Sequence, residues 1–271
     1  MQGRLLPPFE GRFQAFPAGR WREEFAHARE AGLACIEWIY EEPHEAENPL
    51  GSDAGLGEIR AAMLETGVEV RSICADYYMT QPFVSAEGDL REAAVRHLEW
   101  LLAQAARLEV RYIVLPFVDN SSLRTEAAVS AAARMLRRAG EFASRLGLEL
   151  HVECDLDPSR FRAFLQGVGK TSVKANYDIG NSAALGYGPA EELAAIGPYV
   201  GSVHVKDRRL RGVTVPLGTG DADFAASFAG LRATGFRRWF ILQAARGAAG
   251  GEVDLARQNR HFVEQHWREA D

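Results

Sequence analysis

The chain has 271 residues, 47% of them apolar and 25% charged, with a formal charge of −6. Such a composition can bury a full core and excludes a disordered chain, while the acidic balance argues against nucleic acid as a partner. The length suits a single (β/α)8 TIM barrel over residues 1–271, since that fold takes about 250 residues.

The first twelve residues carry prolines and charges but no apolar core of a signal peptide, and no uncharged apolar run reaches the ~20 residues of a membrane span. A cytoplasmic protein without membrane contact is therefore expected. Further along, short runs rich in β-branched and aromatic residues alternate with longer stretches of helical period, as in repeated βα units. The candidate strands are Arg12–Pro17, Cys35–Glu41, Val68–Ala75, Tyr112–Val118, Glu149–Cys154, Val173–Asp178, Gly201–Lys206 and Trp239–Gln243. Amphipathic helices are expected at Trp21–Ala31, Leu90–Leu108, Glu126–Leu146 and Phe224–Thr234. Gly32, Gly67, Gly147 and Gly235 fit left-handed C-caps, and Asp157 and Asp221 fit helix N-caps. The three cysteines, Cys35, Cys74 and Cys154, have no metal-knuckle or redox spacing and read as buried free thiols. No Gly-x-Gly-x-x-Gly turn follows the first strand, which weighs against a dinucleotide-binding sheet. These features point to an α/β protein, a single-domain barrel.

Barrel chemistry lies at the C-terminal ends of the strands. The fifth candidate strand, Glu-Leu-His-Val-Glu-Cys, puts His151 and Glu153 on one side and Leu150 and Val152 on the other. The apolar pair suits the helix side, so Glu153 faces the barrel mouth. By the same alternation the sixth strand presents Asn176 and Asp178, and the seventh Ser202, His204 and Lys206. The eighth ends near Gln243, with Arg246 beyond. Taken singly, each has a bland reading: Glu153 as a solvated loop residue, Asp178 as a turn former, His204 as a core histidine. Three such residues at the same end of consecutive strands instead make a two-carboxylate, one-imidazole set suited to a divalent ion.

Ile36-Glu37-Trp38, His151-Val152-Glu153, Asp178-Ile179-Gly180-Asn181, His204-Val205-Lys206-Asp207 and the loop Val215 to Phe224 resemble the xylose-isomerase-like TIM-barrel superfamily. The likeness is strongest to its sugar-phosphate branch of hexulose-phosphate isomerases and L-xylulose-5-phosphate 3-epimerases. It implies one divalent metal ion (Mn, Co, Zn or Mg) held by Glu153, Asp178, His204 and the residue at 243. The family has a glutamate at that last place and this chain has Gln243, which can offer a carbonyl oxygen but cannot act as a base.

The resemblance implies proton abstraction beside a carbonyl, with the metal stabilising an enediolate, and Glu153 as the catalytic base. Losing the second glutamate favours an aldose–ketose isomerase over an epimerase, because inversion usually needs two proton-transfer groups. Glu37, Asp76, His151 and Asp207 are the possible substitutes. Lys206, Arg208 and Arg246 follow the late strands, where barrels often hold phosphate, so the carbohydrate substrate is expected to be anionic. His151 and Glu37 complete the expected substrate-binding set. Phe13, Trp38 and Tyr77 fit either a sugar-facing wall or the core. Other readings are a dehydratase or keto-inositol isomerase of the same superfamily, or a barrel silenced by Gln243; a nuclease for abasic DNA is disfavoured by the acidic charge. Phe262 and Trp267 in the last helix serve either a homo-oligomer interface or packing on the barrel.

Overall fold

The structure, a computed structural model, describes residues 1–81, 84 and 88–270. Seven parallel strands form one sheet in chain order. They are β1 (Cys35–Ile39), β2 (Glu69–Cys74), β3 (Tyr112–Phe117), β4 (Glu149–Cys154), β5 (Val173–Asp178), β6 (Val200–Val205) and, after a short antiparallel ribbon of β7 (Asp207–Arg208) and β8 (Thr214–Val215), β9 (Phe240–Leu242). Each crossover carries helix on the outside of the sheet, while inward side chains fill the inside, so the strands are buried along nearly their whole length.

The remaining gap is closed by the start of the chain. Gln2 donates its N–H to the Leu242 carbonyl at 3.0 Å, and Glu37 donates to the Met1 carbonyl at 2.9 Å. Gln2 also bridges in parallel to Glu37. Met1 and Gln2 thus act as the eighth stave between β9 and β1. The expected strand Arg12–Pro17 does not form, because its ladder groups are used elsewhere. The Phe16 N–H goes to the Glu41 carboxylate at 2.7 Å, and Pro17 has no N–H to offer.

The long helices follow the apolar period: α1 (Trp21–Glu30), α4 (Gly88–Arg107), α5 (Glu126–Arg145) and α9 (Phe224–Ala233) match the expected segments within two residues. Helices α2 (Asp53–Thr66), α3 (Tyr77–Thr80), α6 (Pro158–Val168), α7 (Ile179–Leu185), α8 (Pro189–Ile196) and α10 (Glu252–Glu269) complete the ring. Gly67 ends α2 at φ 70°, which is cheap for glycine and strained for other residues. Asp157 caps α6 by accepting the Arg160 N–H at 3.0 Å. Asp221 caps nothing: α9 starts at Phe224, so Asp223 is in reach and accepts from Ala226, while Asp221 accepts the Leu210 N–H. Phe262 and Trp267 pack inward on α9 and β9, against Phe224 and Phe240. The three cysteines are free thiols. No helix among the described residues is long and apolar enough to cross a membrane.

Candidate active site

Cross-strand register brings the acidic residues together. Asp178, the last residue of β5, pairs directly with His204 on β6, and Glu153 stands one strand away on β4. Leu150 and Val152 pack toward the helices as their alternation demands, so Glu153 points into the barrel. Glu153, Asp178 and His204 are all buried, and ligand atoms from the three lie within 4.8 Å of one another.

The histidine is oriented for coordination. Its Nε2 lies 2.8 Å from Glu37 Oε1, and Ser72 Oγ donates to the other oxygen of Glu37 at 2.7 Å. That fixes the ring with Nδ1 toward the carboxylates, 3.1 Å from Glu153 and 3.9 Å from Asp178. Buried Nδ1 nonetheless makes no hydrogen bond. A buried imidazole nitrogen without a hydrogen-bond partner, facing two carboxylates while a third carboxylate holds its far side, is the donor arrangement of a divalent-metal site.

Electrostatics agree. Burial pushes the His204 pKa down, but Glu37 and Glu153 outweigh it and carry it up to about 10. The field that retains a proton there would equally retain a cation in its place. Burial also works against charge on Glu153, yet His204 and Lys206 hold its pKa below the usual range. Asp178 moves the other way, raised chiefly by burial with Lys206 opposing.

Around this set the chain supplies amide donors. Asn176 and Asn181 donate to separate oxygens of Glu153, at 2.9 and 2.6 Å, and Asp178 caps α7 by accepting the Asn181 N–H at 2.8 Å. Arg208 in turn holds the Asn181 side-chain carbonyl at 2.9 Å. Gln243, one residue past β9, accepts from Lys206 Nζ at 2.8 Å and donates to Gln2 Oε1 at 2.7 Å. Lysine can only donate, which settles the amide's orientation.

Glu153 reaches the wall of a cavity of about 660 Å³ at the C-terminal ends of the strands. Lys206, Arg208 and Gln243 line it with Glu153. Other expected site residues lie elsewhere. Glu37 sits beneath His204 as its hydrogen-bond partner. His151 is fully buried deeper in the barrel, between Ser202 and Glu149. Arg246 reaches back to the carbonyls of Gly3, Leu6 and Phe13, so it fastens the N-terminal segment. Asp207 accepts the Gly220 and Ala222 N–H groups and shapes the loop before α9. Trp38 is core, packed among Phe16, Trp21 and Phe25. Tyr77 stacks on His97, and Arg4 lies over the half-exposed Phe13 ring.

The sequence reading did not single out Arg12, Gln14 and Glu41, which line the cavity with Asp76. Arg12 makes a two-pronged ion pair with Glu41, at 2.8 and 2.9 Å. Asp76 accepts from Gln14 and from the Cys74 thiol, and burial raises its pKa to about 6.

Comparison with known proteins accords with this geometry. The sequence model of the xylose isomerase-like TIM barrel family matches residues 25–266. An L-ribulose-5-phosphate 3-epimerase of Shigella flexneri is 28% identical over 241 residues, covering 85% of this chain and 84% of the relative. The solved structure of an L-ribulose 3-epimerase superposes with a TM-score of 0.80 at 19% identity, covering all of this chain and 94% of the other. A xylose isomerase-like TIM barrel protein from Mycobacterium smegmatis, in complex with magnesium, gives 0.71 at 19% identity, over 94% and 90% of the two chains. With the family model matched across nearly the whole barrel, this chain belongs to the xylose isomerase-like TIM barrel family.

Proposed function

We propose that the protein is a divalent-metal-dependent epimerase of a small ketose or ketose phosphate, inverting a carbon next to the carbonyl. The observation that carries this reading is the buried Glu153–Asp178–His204 cluster, whose Glu153 lines a sugar-sized cavity and whose His204 Nδ1 faces the two carboxylates. The name of the 28%-identical relative favours epimerisation over the aldose–ketose shift that Gln243 alone suggests.

Glu153, Asp178 and His204 would hold the ion, with the Gln243 carbonyl oxygen as fourth donor. A bound divalent ion supplies charge stabilisation for the oxygen that becomes negative as the neighbouring C–H bond breaks. Glu153 is the group in reach of that proton, its carboxylate kept charged by His204 and Lys206 and aimed by Asn176 and Asn181. Lys206 and Arg208 line the cavity and suit a phosphate or another anionic end of the sugar, and Arg211 adds charge on the same wall.

Two measurements test this. Protein purified without chelator should carry about one divalent ion per chain by mass spectrometry, and an Asp178→Asn variant should lose it. L-Ribulose 5-phosphate incubated in heavy water should then gain deuterium at the carbon beside the carbonyl. Absence of metal, together with no stabilisation by added manganese, cobalt, zinc or magnesium, would sink the reading and leave a silenced barrel.

A further inference from the structure

The N-terminal end of a barrel ordinarily serves stability rather than chemistry. Here it holds a second cavity, of about 360 Å³, within the range of small-molecule pockets. Its wall carries Arg71, Arg111, Arg237 and Arg238 against one acid among the described residues, Glu149. In a chain of formal charge −6 this is a local excess of cations. Neighbouring strand starts bring three of these residues together. Arg111 donates its N–H to the Arg71 carbonyl at 2.9 Å, and Glu149 donates to the Arg111 carbonyl at 3.1 Å, so they stand side by side near the starts of β2, β3 and β4. Arg238, just before β9, reaches over to Glu149 at 2.6 Å and to the Gly201 carbonyl on β6 at 3.2 Å. Arg71 lies over the Trp239 ring, 4.6 Å from its centre. Side chains of separated staves thus meet over this end of the barrel.

Two irregularities of the sheet fall in the same wall. The register slips between Ile36 and Glu37, which leaves Arg71 as an extra residue of β2, and between Ala175 and Asn176, which leaves Gly201 as an extra residue of β6. Such bulges gather at barrel rims and functional sites, where they re-aim a side chain. The second has no room for a side chain: a Cβ on Gly201 would lie 2.5 Å from His151 Nε2 and 2.8 Å from Lys174 Cβ. The charges around the cavity do not cancel within the fold. Arg71 pairs with Glu69, and Arg238 with Glu149. Glu149 also holds His151, so its one charge is already shared. Arg111 and Arg237 have no acidic partner among the described residues, and Arg237 gives one N–H to the Phe236 carbonyl. The buried Nε of Arg71 makes no hydrogen bond.

We infer that the N-terminal end of the barrel is a second anion site, one that takes a phosphate group and is separate from the cavity that Glu153 lines. Two guanidinium charges without a counter-charge match one phosphate group, which carries about −1.5 to −2 at pH 7 and offers three acceptor oxygens to the arginine forks. Glu149 and Glu153 lie on the same strand, so the two cavities are about 13 Å apart along it. The site does not depend on the reaction proposed for the other end.

Trp239 stands in the wall, so its fluorescence reports on this cavity and not on the other. Inorganic phosphate titrated into the full chain at constant ionic strength should change tryptophan fluorescence saturably, and Trp239→Phe should lose that change. Arg111→Gln and Arg237→Gln should each weaken phosphate binding by about tenfold or more, the weight of one hydrogen bond to a charged group. Both side chains are exposed, and thermal melting without phosphate checks that the variants are folded. Arg211→Gln, at the opposite cavity, should bind as the parent does. Glycerol 3-phosphate run in parallel separates two sources of the group. Tighter binding than phosphate assigns the site to an organic phosphate, and equal or weaker binding assigns it to the free ion. A response that chloride reproduces at equal ionic strength would overturn the inference. So would the absence of a saturable response, or undiminished affinity in both arginine variants.

Discussion

Glu37 shows how a side chain that touches no substrate can govern the site. It is fully buried, with one oxygen on His204 Nε2 and the other on Ser72 Oγ, so it holds a proton on Nε2 and turns Nδ1 toward Glu153 and Asp178. Partners of this kind commonly carry 10–100-fold in metal affinity. Glu37→Gln keeps the size and one acceptor but removes the charge, and manganese affinity by titration calorimetry should fall by about tenfold or more. Unchanged affinity would show that His204 is not a ligand through Nδ1. Gln243→Glu works in the other direction. It adds a negative donor beside Lys206 and sets a carboxylate oxygen against Gln2 Oε1. Gln2 can relieve this by turning its unpartnered Nε2 inward, while Arg4 keeps its bond to the Gln2 backbone carbonyl and loses the one to Oε1. Affinity for the same ion should rise by about tenfold, as expected from one more ligand charge. No rise would place residue 243 outside the coordination sphere. The buried cluster was legible in the sequence because strand alternation is local: Glu153, Asp178 and His204 each sit on a predicted inward face and come together in the fold. Arg12 and Gln14 were not, since they belong to an irregular segment with no period, and only closure of the barrel carries them to the cavity.

At the scale of elements, the same irregular segment explains the one strand misplaced by sequence. The residues 12–17 alternate like a strand, but pairing also requires free backbone groups, and these are spent on Glu41 or absent at proline. Met1 and Gln2 are too few to show any pattern, although they form the closing stave. Helix α7 poses the opposite case, where the sequence signal is sharp. Asp178 ends β5 and at once caps α7, so the chain must turn within Gly180. A Cβ on Gly180 would come within 2.9 Å of the Lys206 backbone and against its side chain. Its φ needs no glycine, so space is the constraint, and overpacking of this kind costs about 1–3 kcal/mol. Gly180→Ala should therefore lower the midpoint of urea unfolding and also weaken metal binding, since α7 carries Asn181 and Asp178 away from the β6 end. Loss of stability with metal affinity intact would mean that the turn yields elsewhere.

Across the whole molecule, several buried carboxyls set the response to pH. Burial lifts Glu24 and Glu192 to about 7, and Asp76 to about 6. A carboxyl whose pKa is higher folded than unfolded stabilises the fold fully below its unfolded value, near 4.5, and this contribution is lost as pH rises through 7. Glu149 acts in the opposite sense. Burial disfavours its charge, but His151 and Arg238 outweigh that and draw its pKa down to about 2, so its contribution holds above 4.5 and is lost on acidification. The metal-free protein should thus be most stable near pH 5 and weaken toward pH 8. Glu192 offers the cleanest check, because it lies on α8 away from the cavity. One of its oxygens accepts from Ser182 Oγ at 2.9 Å, while the other is buried without a partner. Its shift of two to three pH units corresponds to about 3 kcal/mol at most. Glu192→Gln keeps the acceptor and cannot ionise, so at pH 8 it should exceed the parent in stability by about 1–3 kcal/mol, with the gap closing at pH 4.5. Urea unfolding at the two pH values reads this directly. A gap that is the same at both would show that the carboxyl stays ionised in the fold, and that water or a mobile α8 reaches its unpaired oxygen.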